Sequence, residues 1–389
     1  MKYLITGGGT GGHIYPAMAI ADAIGKNDPD CKMLYVGVKG KAEENILKDN
    51  TNIEKFEIKF IHSSGLPRRF ISVKFLKFLF SIIIGIFQGV GILIRFNPDI
   101  VIGTGGFGAF PVFFANIFFN KKSFIHEQNV YPGLANKIIG KISKRIGVSF
   151  KETLKFFPKN KTVFVGYPLR WKTEGFNKEA SKIKFGFDPK NKIIFFFGGS
   201  QGSRSINNAV FEFLNILLEK KDIGIIHGTG RYISSEYDAY LNAVSKLNEI
   251  GIEGSIPGKY LIEPYFTNVD EIYSAADLVV ARSGAGTVIE LAAMGIPSIL
   301  IPKSLVPDNH QYYNAKTLAD VGGAVIIKEE IITKNNKKFE SINSKVLIET
   351  ILDIIYDESK LKKMSESAKQ IYIPDSVERI CSEIYSLVD

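Results

Sequence analysis

The feature that most constrains this chain is a pattern that occurs twice, in which an apolar strand runs into a glycine-rich loop and then into a helix. One copy covers residues 2–12 and the other covers residues 192–202. Strand, glycine loop and helix in this order are typical of the start of a Rossmann-like half. Two copies therefore predict two similar α/β domains, each built on a doubly wound parallel sheet.

Short apolar runs alternate with helical patterns along the rest of the chain, which is the order that βαβ units produce. Glycine and proline interrupt this order at residues 166–170, so we expect the domain boundary there. The predicted strands are residues 2–6, 32–37, 100–103, 123–126, 146–149, 163–165, 193–198, 224–228, 260–262, 278–280, 298–301 and 324–327. The predicted helices are residues 16–25, 41–48, 73–94, 110–119, 133–141, 205–219, 234–249, 269–275, 287–294, 311–320, 344–356, 359–371 and 375–386.

The charge of the chain is unevenly distributed. The net charge is +9, and the basic excess lies in residues 60–170, whereas the part after residue 170 is mildly acidic. A basic half joined to an acidic half indicates that one half meets an anionic partner. A nucleic acid, an anionic membrane and a phosphorylated substrate are the candidates.

Cysteine and histidine usage argues against disulfides and metal sites. The chain has two cysteines and five histidines, and none of them has HxxxH or CxxC spacing. Two cysteines cannot form a disulfide framework, which favours a reducing compartment, and the spacing predicts no dedicated zinc site. The first residues contain no apolar segment followed by a cleavage site, so we expect no secretory signal.

Residues 78–94 form the most apolar stretch, seventeen residues without a charge between basic flanks. A membrane-spanning helix needs about 20 apolar residues, so this stretch is too short for a span. One interpretation is a buried crossover helix of an α/β domain. The other is a helix whose exposed face and basic flank rest on an anionic bilayer. The two are compatible if only one face is buried.

The first glycine loop, residues 6–13, loosely satisfies the dinucleotide fingerprint G-x-G-x-x-G. The acid that would hold a ribose is missing from the end of the second strand, residues 36–40, which argues against a dehydrogenase. The loop still brings backbone N–H groups to a helix N-terminus, where an anion can approach. His13 opens that helix and could take a proton from an attacking hydroxyl. The alternative is a helix-start residue without a chemical role.

Two further segments of the first half follow predicted strands. The glycine-rich residues 102–108 lie on the same sheet edge as the first loop, so the two loops together form a floor the size of a phosphate. The polar residues 126–129 also follow a strand and suit a binding edge. A polar cluster of this kind is otherwise a solvated loop.

Three segments of the second half could bind phosphate, ribose or sugar groups. Residues 198–204 can cradle a phosphate with backbone N–H groups and the Ser200 hydroxyl, although they do not form a Walker A loop. The dipole of a helix that begins at Thr287 would favour binding of a diphosphate, and Glu290 could accept hydrogen bonds from ribose hydroxyls. The alternative is that Thr287 and Glu290 form a capping box at the start of that helix. The polar residues 308–314 are suited to hydrogen-bonding sugar hydroxyls. The alternative is that Asp308 or Asn309 caps a helix.

Together these motifs resemble the MurG family of N-acetylglucosaminyltransferases. The matching segments follow the order of the family over most of the chain: GGGTGGHIYPAMAIA at 7–21, GTGGFGAFP at 103–111, HEQNVYPGLANK at 126–137, GYPLR at 166–170, GGSQGSRSIN at 198–207, RSGAGTVIELAAMGIPSILIP at 282–302 and DNHQYYNA at 308–315. The resemblance implies the GT-B fold, two Rossmann-like domains with an interdomain cleft. It implies an acceptor- and membrane-binding domain of residues 1–167 plus 373–389 and a donor-binding domain of residues 168–372.

The resemblance also implies the substrates and their sites. UDP-N-acetylglucosamine would be the donor and lipid I, undecaprenyl-diphospho-MurNAc-pentapeptide, the acceptor. The implied donor-binding residues are Thr10, Gly11, Gly12, Asn129, Arg170, Ser200, Phe266, Ala285, Gly286, Thr287, Glu290, His310 and Gln311. The acceptor diphosphate would lie against Gly9, Gly105 and Gly106.

The implied reaction is a direct displacement that forms a β-1,4 link and inverts the donor configuration. His13 is the candidate base, with Glu127 second, and helix N-termini stabilise the leaving diphosphate without a cofactor or metal. Residues 67–96 would rest on the cytoplasmic face of the bacterial plasma membrane, and a cell-wall synthesis complex is a possible partner.

Other interpretations stay open. A GT-B transferase with another lipid acceptor and a UDP-N-acetylglucosamine epimerase would both bind the same kind of nucleotide. A non-catalytic nucleotide- or lipid-binding module would tolerate the loss of His13 and Glu127. A nucleic-acid partner is not expected, because the basic excess lies beside an apolar helix and no recognised nucleic-acid module is present.

Overall fold

The chain was analysed as a computed structural model, which describes residues 1–9, 11–40, 56–67, 72–171, 173–234, 237–334 and 337–388. It consists of two compact units. The first comprises Met1–Arg170 together with Ile373–Asp389, and the second comprises Trp171–Tyr372. Both are α/β units on a parallel sheet, which confirms the predicted fold class.

The sheet of the first unit has its first strand in the middle. Its strands are β1 (Lys2–Thr6), β2 (Lys32–Val38), β3 (Phe56–Ile61), β4 (Ile100–Gly103), β5 (Lys122–Glu127), β6 (Arg145–Val148) and β7 (Thr162–Phe164). They pair in parallel in the order β3-β2-β1-β4-β5-β6-β7. The strand order reverses between β1 and β4, and ligands of doubly wound sheets bind outside the carboxyl ends of the strands at such a point.

Helices cover both faces of this sheet because its strands are apolar on both faces. Tyr3 and Ile5 of β1 lie in one core with Ile380 from the end of the chain, and Leu4 lies in the core on the opposite face. The helices of the unit are Gly11–Asn27, Val73–Phe96, Gly106–Asn116, Leu134–Ile142 and Ser376–Tyr385, with 3-10 turns at Lys151–Phe156 and Lys159–Lys161. The predicted helix 41–48 lies outside the described residues.

The second unit repeats the arrangement. Its parallel strands are β8 (Lys192–Phe197), β9 (Ile223–Gly228), β10 (Tyr260–Glu263), β11 (Leu278–Ala281), β12 (Ser298–Leu300) and β13 (Ala324–Ile326), in the order β10-β9-β8-β11-β12-β13. An antiparallel pair, β14 (Glu330–Lys334) and β15 (Lys337–Ser341), forms a separate small sheet. The switch point lies between β8 and β11.

The helices of the second unit also pack on both faces of its sheet. Phe196 of β8 belongs to the core on one face, and Phe195 belongs to the core on the other. The helices are Lys178–Lys184, Arg204–Leu218, Ala239–Glu249, Val269–Ala275, Ala285–Met294, His310–Asp320, Ser344–Ile355 and Glu358–Ala368, with 3-10 turns at Pro307–Asn309 and Lys369–Ile371.

The helix Val73–Phe96 is longer than its charge-free stretch and is buried on one side only. Its 24 residues make it long and apolar enough to cross a membrane by length and composition, which corrects the expectation that it is too short. Gly85 and Gly89 face the helix Gly106–Asn116, and a Cβ on Gly85 would lie 2.1 Å from the carbonyl oxygen of His62. The helix is therefore packed against its own unit by one face, as a crossover helix is.

Candidate functional site

Two glycine loops interlock at the carboxyl edge of the first sheet. The loop Gly7–Gly9 follows β1 and the loop from Thr104 to Gly106 follows β4, the neighbouring strand. The N–H of Gly8 donates to the carbonyl of Gly105 at 3.3 Å, and the N–H of Thr104 donates to the carbonyl of Thr6 at 3.0 Å. The loops thus hold each other at the switch point of the sheet.

Glycine is required where the loops touch. A Cβ on Gly7 would lie 1.9 Å from Thr104 Oγ1, and a Cβ on Gly106 would lie 2.0 Å from the carbonyl oxygen of Gly8. Gly106 also has a φ of +76°, a conformation that favours glycine. A Cβ on Gly9, with a φ of +99°, would lie 2.4 Å from the ring of Phe107. The missing side chains let the two loops approach each other closely and would let a ligand approach their backbone, as an anion site requires.

His13 lies beside both loops. The helix begins at Gly11, five residues before the predicted start at residue 16, so His13 is its third residue. Its Nδ1 is 2.8 Å from the carbonyl oxygen of Thr104 and 2.9 Å from Oε1 of Gln128. Both partners accept, so Nδ1 carries the proton and Nε2 keeps its lone pair. No described residue bonds that Nε2, which leaves it able to accept a proton.

The end of β5, His126 and Glu127, and the next residue, Gln128, are buried, which corrects the alternative of a solvated loop. His126, Glu127 and Gln128 are almost completely inaccessible to solvent. Burial lowers the pKa of His126 to about 4, since the charged imidazolium would lose its hydration. A buried segment of this kind holds its side chains in fixed positions.

The Glu127 carboxylate accepts hydrogen bonds from the loop that follows β5 and from the helix Leu134–Ile142. Its Oε1 accepts from the backbone N–H and side-chain Nδ2 of Asn129, at 2.8 and 3.1 Å. Its Oε2 accepts from Asn136 Nδ2 at 2.7 Å and from the N–H of Gly133 at 3.3 Å. Four donors on two oxygens shape the loop, and they turn the Asn129 amide toward the protein.

The remaining sites expected in the first unit are spread along its edge. Gly11 and Gly12 are the first two residues of the helix that carries His13, and Thr10 lies outside the described residues. Arg170 is exposed, and its guanidinium lies 4.3 Å from the centre of the Tyr15 ring. Arg170 therefore belongs to the edge that carries His13.

Asn136 is a residue of this site that the sequence analysis missed. It is buried in the helix Leu134–Ile142, and a Cβ on Gly105 would lie 2.5 Å from its Nδ2. Asn136 thus links the Glu127 carboxylate to the second glycine loop. The signal in the sequence is an amide at helical spacing from Ile139 and Gly140, the buried residues of this helix.

The glycine loop of the second unit is closed by the same kind of close approach. Gly202, with a φ of +78°, has no room for a Cβ, which would lie 2.0 Å from the carbonyl oxygen of Thr229. Ser203 caps the helix Arg204–Leu218 by accepting from the N–H of Ile206. Ser200 is exposed at the tip of the loop, ahead of this helix N-terminus, where an anion would be stabilised.

The helix after β11 begins at Ala285, which corrects the predicted start at Thr287 and excludes the capping box. Gly284 is the N-cap residue and supplies no side-chain cap. Thr287 is therefore the third helical residue, and Ala285 and Gly286 precede it in the first turn. Glu290 Oε2 accepts a hydrogen bond from the hydroxyl of Tyr273 at 3.0 Å, so its carboxylate is oriented by a neighbouring helix.

The helix after β12 begins at His310 without a side-chain cap, so capping by Asp308 or Asn309 is also wrong. Asn309, its N-cap residue, has a φ of 51°. Gln311 Oε1 accepts from the N–H of Lys303 at 2.9 Å, which fixes this amide at the strand end. Phe266 packs edge-on against Phe195, 6.1 Å between ring centres.

These segments share one edge of the second sheet. Ser200 follows β8, the helix with Glu290 follows β11, and Gln311 follows the next strand, β12. Because adjacent parallel strands end at the same edge, the structure brings these predicted residues together. Over the described part of the chain, no group of three or more His, Cys, Asp and Glu side chains is placed to hold a metal ion.

Comparison with known families matches both halves of the chain. The glycosyltransferase family 28 N-terminal domain matches residues 3–148, and the glycosyltransferase family 28 C-terminal domain matches residues 193–380. A relative from Acetivibrio thermocellus is 36% identical, covering 98% of this chain and 96% of its own length. A relative from a Thermoanaerobacter species is 37% identical over the whole of both chains. Both are named UDP-N-acetylglucosamine–N-acetylmuramyl-(pentapeptide) pyrophosphoryl-undecaprenol N-acetylglucosamine transferase.

Comparison with solved structures supports the fold alone. The crystal structure of MurG from Acinetobacter baumannii matches with a TM-score of 0.69 at 22% identity, covering 99% of each chain. A UDP-GlcNAc 2-epimerase from Neisseria meningitidis, solved with UDP-GlcNAc bound, matches with a TM-score of 0.68 at 12% identity over 99% of this chain and all of its own. The fold is thus common to transferases and epimerases.

Proposed function

Because this chain belongs to the MurG family within glycosyltransferase family 28, we propose that it transfers N-acetylglucosamine from UDP-N-acetylglucosamine to lipid I. The product is lipid II, the lipid-linked disaccharide used in peptidoglycan synthesis. The epimerase alternative is not favoured, since the relatives of higher identity carry the transferase name.

The observation that best supports a catalytic role is the environment of His13. Its Nδ1 is held by two acceptors, and its Nε2 keeps a lone pair beside two glycine loops. A base needs an accessible lone pair, and the loops offer backbone N–H groups for the diphosphate of an acceptor. Gly9, Gly105 and Gly106 are the positions at which we expect that diphosphate.

The donor is expected at the edge of the second sheet. The first turn of the helix Ala285–Met294, with Gly286 and Thr287, and the exposed Ser200 would bind the diphosphate of UDP. Glu290, which Tyr273 orients, would accept hydrogen bonds from the ribose hydroxyls. Thr10, Gly11, Gly12, Asn129, Arg170, Phe266, His310 and Gln311 remain candidates for contacts to the donor.

The reaction is a single displacement at the anomeric carbon of the donor sugar. The 4-hydroxyl oxygen of MurNAc forms the new bond, its proton passes to His13 Nε2, and the bond to the phosphate oxygen breaks. UDP leaves with that electron pair, and the helix N-terminus stabilises its charge. Glu127 is the second candidate for the base, but the four hydrogen bonds that its carboxylate accepts favour a role in shaping the loop. We expect no metal or other cofactor.

The protein would act on the cytoplasmic face of the plasma membrane as a peripheral protein. Leu76, Phe80, Ile83 and Phe87 are exposed along one side of the helix Val73–Phe96. Their spacing of three or four residues places them on a single face, and Lys74, Lys77 and Arg95 are exposed on the same helix. An apolar stripe with basic neighbours fits the surface of an anionic bilayer.

The test is transfer of labelled N-acetylglucosamine from UDP-N-acetylglucosamine to a soluble-chain analogue of lipid I, in a buffer with a metal chelator. His13→Ala should lower kcat by about 10²–10⁴-fold, the usual contribution of a general base. His62→Ala, on an exposed histidine of the same unit, is the matched control and should turn over normally. Glu290→Gln should raise the KM for the donor, whereas Glu349→Gln, an exposed acid on the helix Ser344–Ile355, should not.

Each alternative has its own outcome in this assay. UDP release without a lipid product would indicate an epimerase or hydrolase. Transfer to a different lipid but not to the lipid I analogue would keep the donor site and change the acceptor. Binding of UDP-N-acetylglucosamine without turnover on any acceptor would indicate a non-catalytic module.

A further inference from the structure

A chain of hydrogen bonds in the first unit leads from a backbone carbonyl to the ring of His13. It begins at the carbonyl of Gly166, passes through His126 and Gln128, and ends at His13 Nδ1. His126 and Gln128 are 0% and 1% exposed, so solvent does not compete for their hydrogen bonds. The position of the proton on His126 therefore determines the orientation of the Gln128 amide, and that orientation determines which nitrogen of His13 is protonated.

The far end of this chain is the His126 ring. Its Nε2 lies 2.9 Å from the carbonyl oxygen of Gly166, which can only accept, so Nε2 carries a proton. Burial lowers the pKa of His126 to about 4, so the ring is neutral at neutral pH and has only this one proton. Its Nδ1 must therefore be an acceptor.

The amide of Gln128 is consequently held in one orientation. Its Nε2 lies 3.1 Å from His126 Nδ1 and 3.1 Å from the His126 carbonyl oxygen, both of which accept. The amide nitrogen therefore faces His126 and the amide oxygen faces His13, at 2.9 Å from Nδ1. If the amide were flipped, its oxygen would face the acceptor His126 Nδ1 and its N–H groups would face the N–H of His13, so both hydrogen bonds would be lost.

At the near end, the carbonyl oxygen of Thr104 is a second acceptor for His13 Nδ1, at 2.8 Å. The carboxylate of Glu127, the neighbour of Gln128 in the sequence, already accepts four hydrogen bonds from Asn129, Gly133 and Asn136. Among the described residues, only Thr104 and Gln128 bond the His13 ring. The ring orientation and its proton are thus set by two acceptors, one of which depends on His126.

We propose that His126 and Gln128 are positioning residues that hold His13 in the Nδ1-protonated tautomer and aim Nε2 at the substrate. The use made of Nε2 rests on the proposed function, but the tautomer does not. When the sugar hydroxyl forms its new bond, its proton passes to Nε2 and the ring becomes an imidazolium. Gln128 Oε1 and the Thr104 carbonyl then stabilise the positive charge through the Nδ1 proton.

The first test reads the tautomer directly, by long-range ¹H–¹⁵N correlation at neutral pH on the full chain labelled with ¹⁵N-histidine. His13→Ala and His126→Ala identify the two sets of signals. The proposal expects a protonated Nδ1 and an unprotonated Nε2 for His13, and the opposite pattern for His126. A proton on Nε2 of His13 would overturn the proposal whether or not the protein transfers sugar.

The second test changes Gln128 and follows kcat against pH with the soluble acceptor analogue. Gln128→Glu places a carboxylate at His13, which favours the imidazolium and should move the acidic limb of the profile to higher pH by about one unit or more. Gln128→Leu should lower kcat by roughly 10–100-fold, the usual cost of losing an orienting partner, with the donor KM unchanged. Gln88→Glu makes the same change beside His62, so its profile should match wild type.

The two tests separate failure of the inference from failure of the proposed function. A folded Gln128→Glu variant with an unshifted profile would refute the positioning role, because a purely structural glutamine would change the rate and leave its pH dependence unchanged. Full turnover of His13→Ala would instead refute the base assignment. In that case the spectrum of the wild-type protein would still decide the tautomer.

Discussion

Two exposed phenylalanines on the helix Val73–Phe96 should anchor the protein to an anionic bilayer. Phe80 is 69% exposed and Phe87 is 73% exposed, and both belong to the stripe that includes Leu76 and Ile83. Because the opposite face of the helix is packed through Gly85 and Gly89, replacing the outer rings removes no contact of the core. The double variant Phe80→Ala/Phe87→Ala should therefore remain folded and bind membranes more weakly.

The expected loss can be estimated from the exposed area. A phenylalanine buries about 200 Å², so at 70% exposure each ring offers about 140 Å² to the lipid, worth about 3.5 kcal/mol at 25 cal/mol per Å². The alanine methyl keeps part of that area, and a helix at the interface immerses its face only partly. We expect the pair to contribute about 3 kcal/mol, a decrease of roughly 100-fold in the partition coefficient.

Co-sedimentation with vesicles measures this loss. Vesicles that contain phosphatidylglycerol should bind the wild type, and neutral phosphatidylcholine vesicles should bind it less, because each basic residue near an anionic surface contributes about 1 kcal/mol. Leu241→Ala is the matched control, since Leu241 is 65% exposed on a helix of the second unit and carries no proposed role. The same variants should keep their kcat on a soluble-chain acceptor and lose efficiency on a long-chain acceptor in vesicles.

Equal binding of the double variant and the wild type, with equal melting temperatures, would refute the anchoring role of this face. The helix would then be a crossover helix whose exposed rings serve another contact. Reduced binding of Leu241→Ala by a similar factor would indicate a general effect of surface hydrophobicity instead.

Three further variants test the site and its burial. Glu127→Gln sets a donor against the donors Asn129 and Asn136, so we expect about 2 kcal/mol lower stability and a lower kcat with an unshifted pH profile, by chemical denaturation and turnover. Gly106→Ala would bring a Cβ to 2.0 Å from the carbonyl oxygen of Gly8, so calorimetry should find UDP binding retained while transfer is lost. Burial lowers the pKa of His227 to about 3, so between the unfolded pKa near 6.5 and pH 3 only the unfolded state takes up its proton. The contribution of His227 to stability should therefore fall by about 2 kcal/mol as the pH falls from 6.5 to 5, and denaturation of His227→Gln should be less pH-dependent by that amount.

The fold class could be predicted because most strands of the two sheets are short apolar runs that alternate with helical patterns, and because β1 and β8 each run into a glycine-rich loop. Strand β3 was missed, since Glu57 and Lys59 interrupt its apolar residues and make it look like a loop. It lies at the edge of the sheet, where one side chain in two can remain polar. The antiparallel strands β14 and β15 were also missed. They lie outside the parallel sheet and are rich in charged residues, so their sequences show no apolar run.

The first residues of the helices at the candidate sites were harder to predict than the existence of those helices. Thr287 and Glu290 have the spacing of a capping box, but tertiary contacts place the start two residues earlier, and Glu290 bonds Tyr273 instead of a backbone N–H. Local spacing cannot reveal that choice, because the competing partner is seventeen residues away in the sequence. The same limit applies to Asn136, whose role depends on two segments that meet only in the folded unit.

The two units share a strand order but use their loop edges differently, and the difference follows from the chemistry proposed for each. Binding a diphosphate needs backbone N–H groups at a helix N-terminus that a ligand can reach, so Ser200 can be exposed and Gly286 and Thr287 half-buried. Moving a proton needs one nitrogen at one place, so the orienting groups of His13 must be buried and fully bonded. His126 and Gln128 meet that condition, and the sequence motif HEQN is then as much a requirement of ring orientation as of substrate contact.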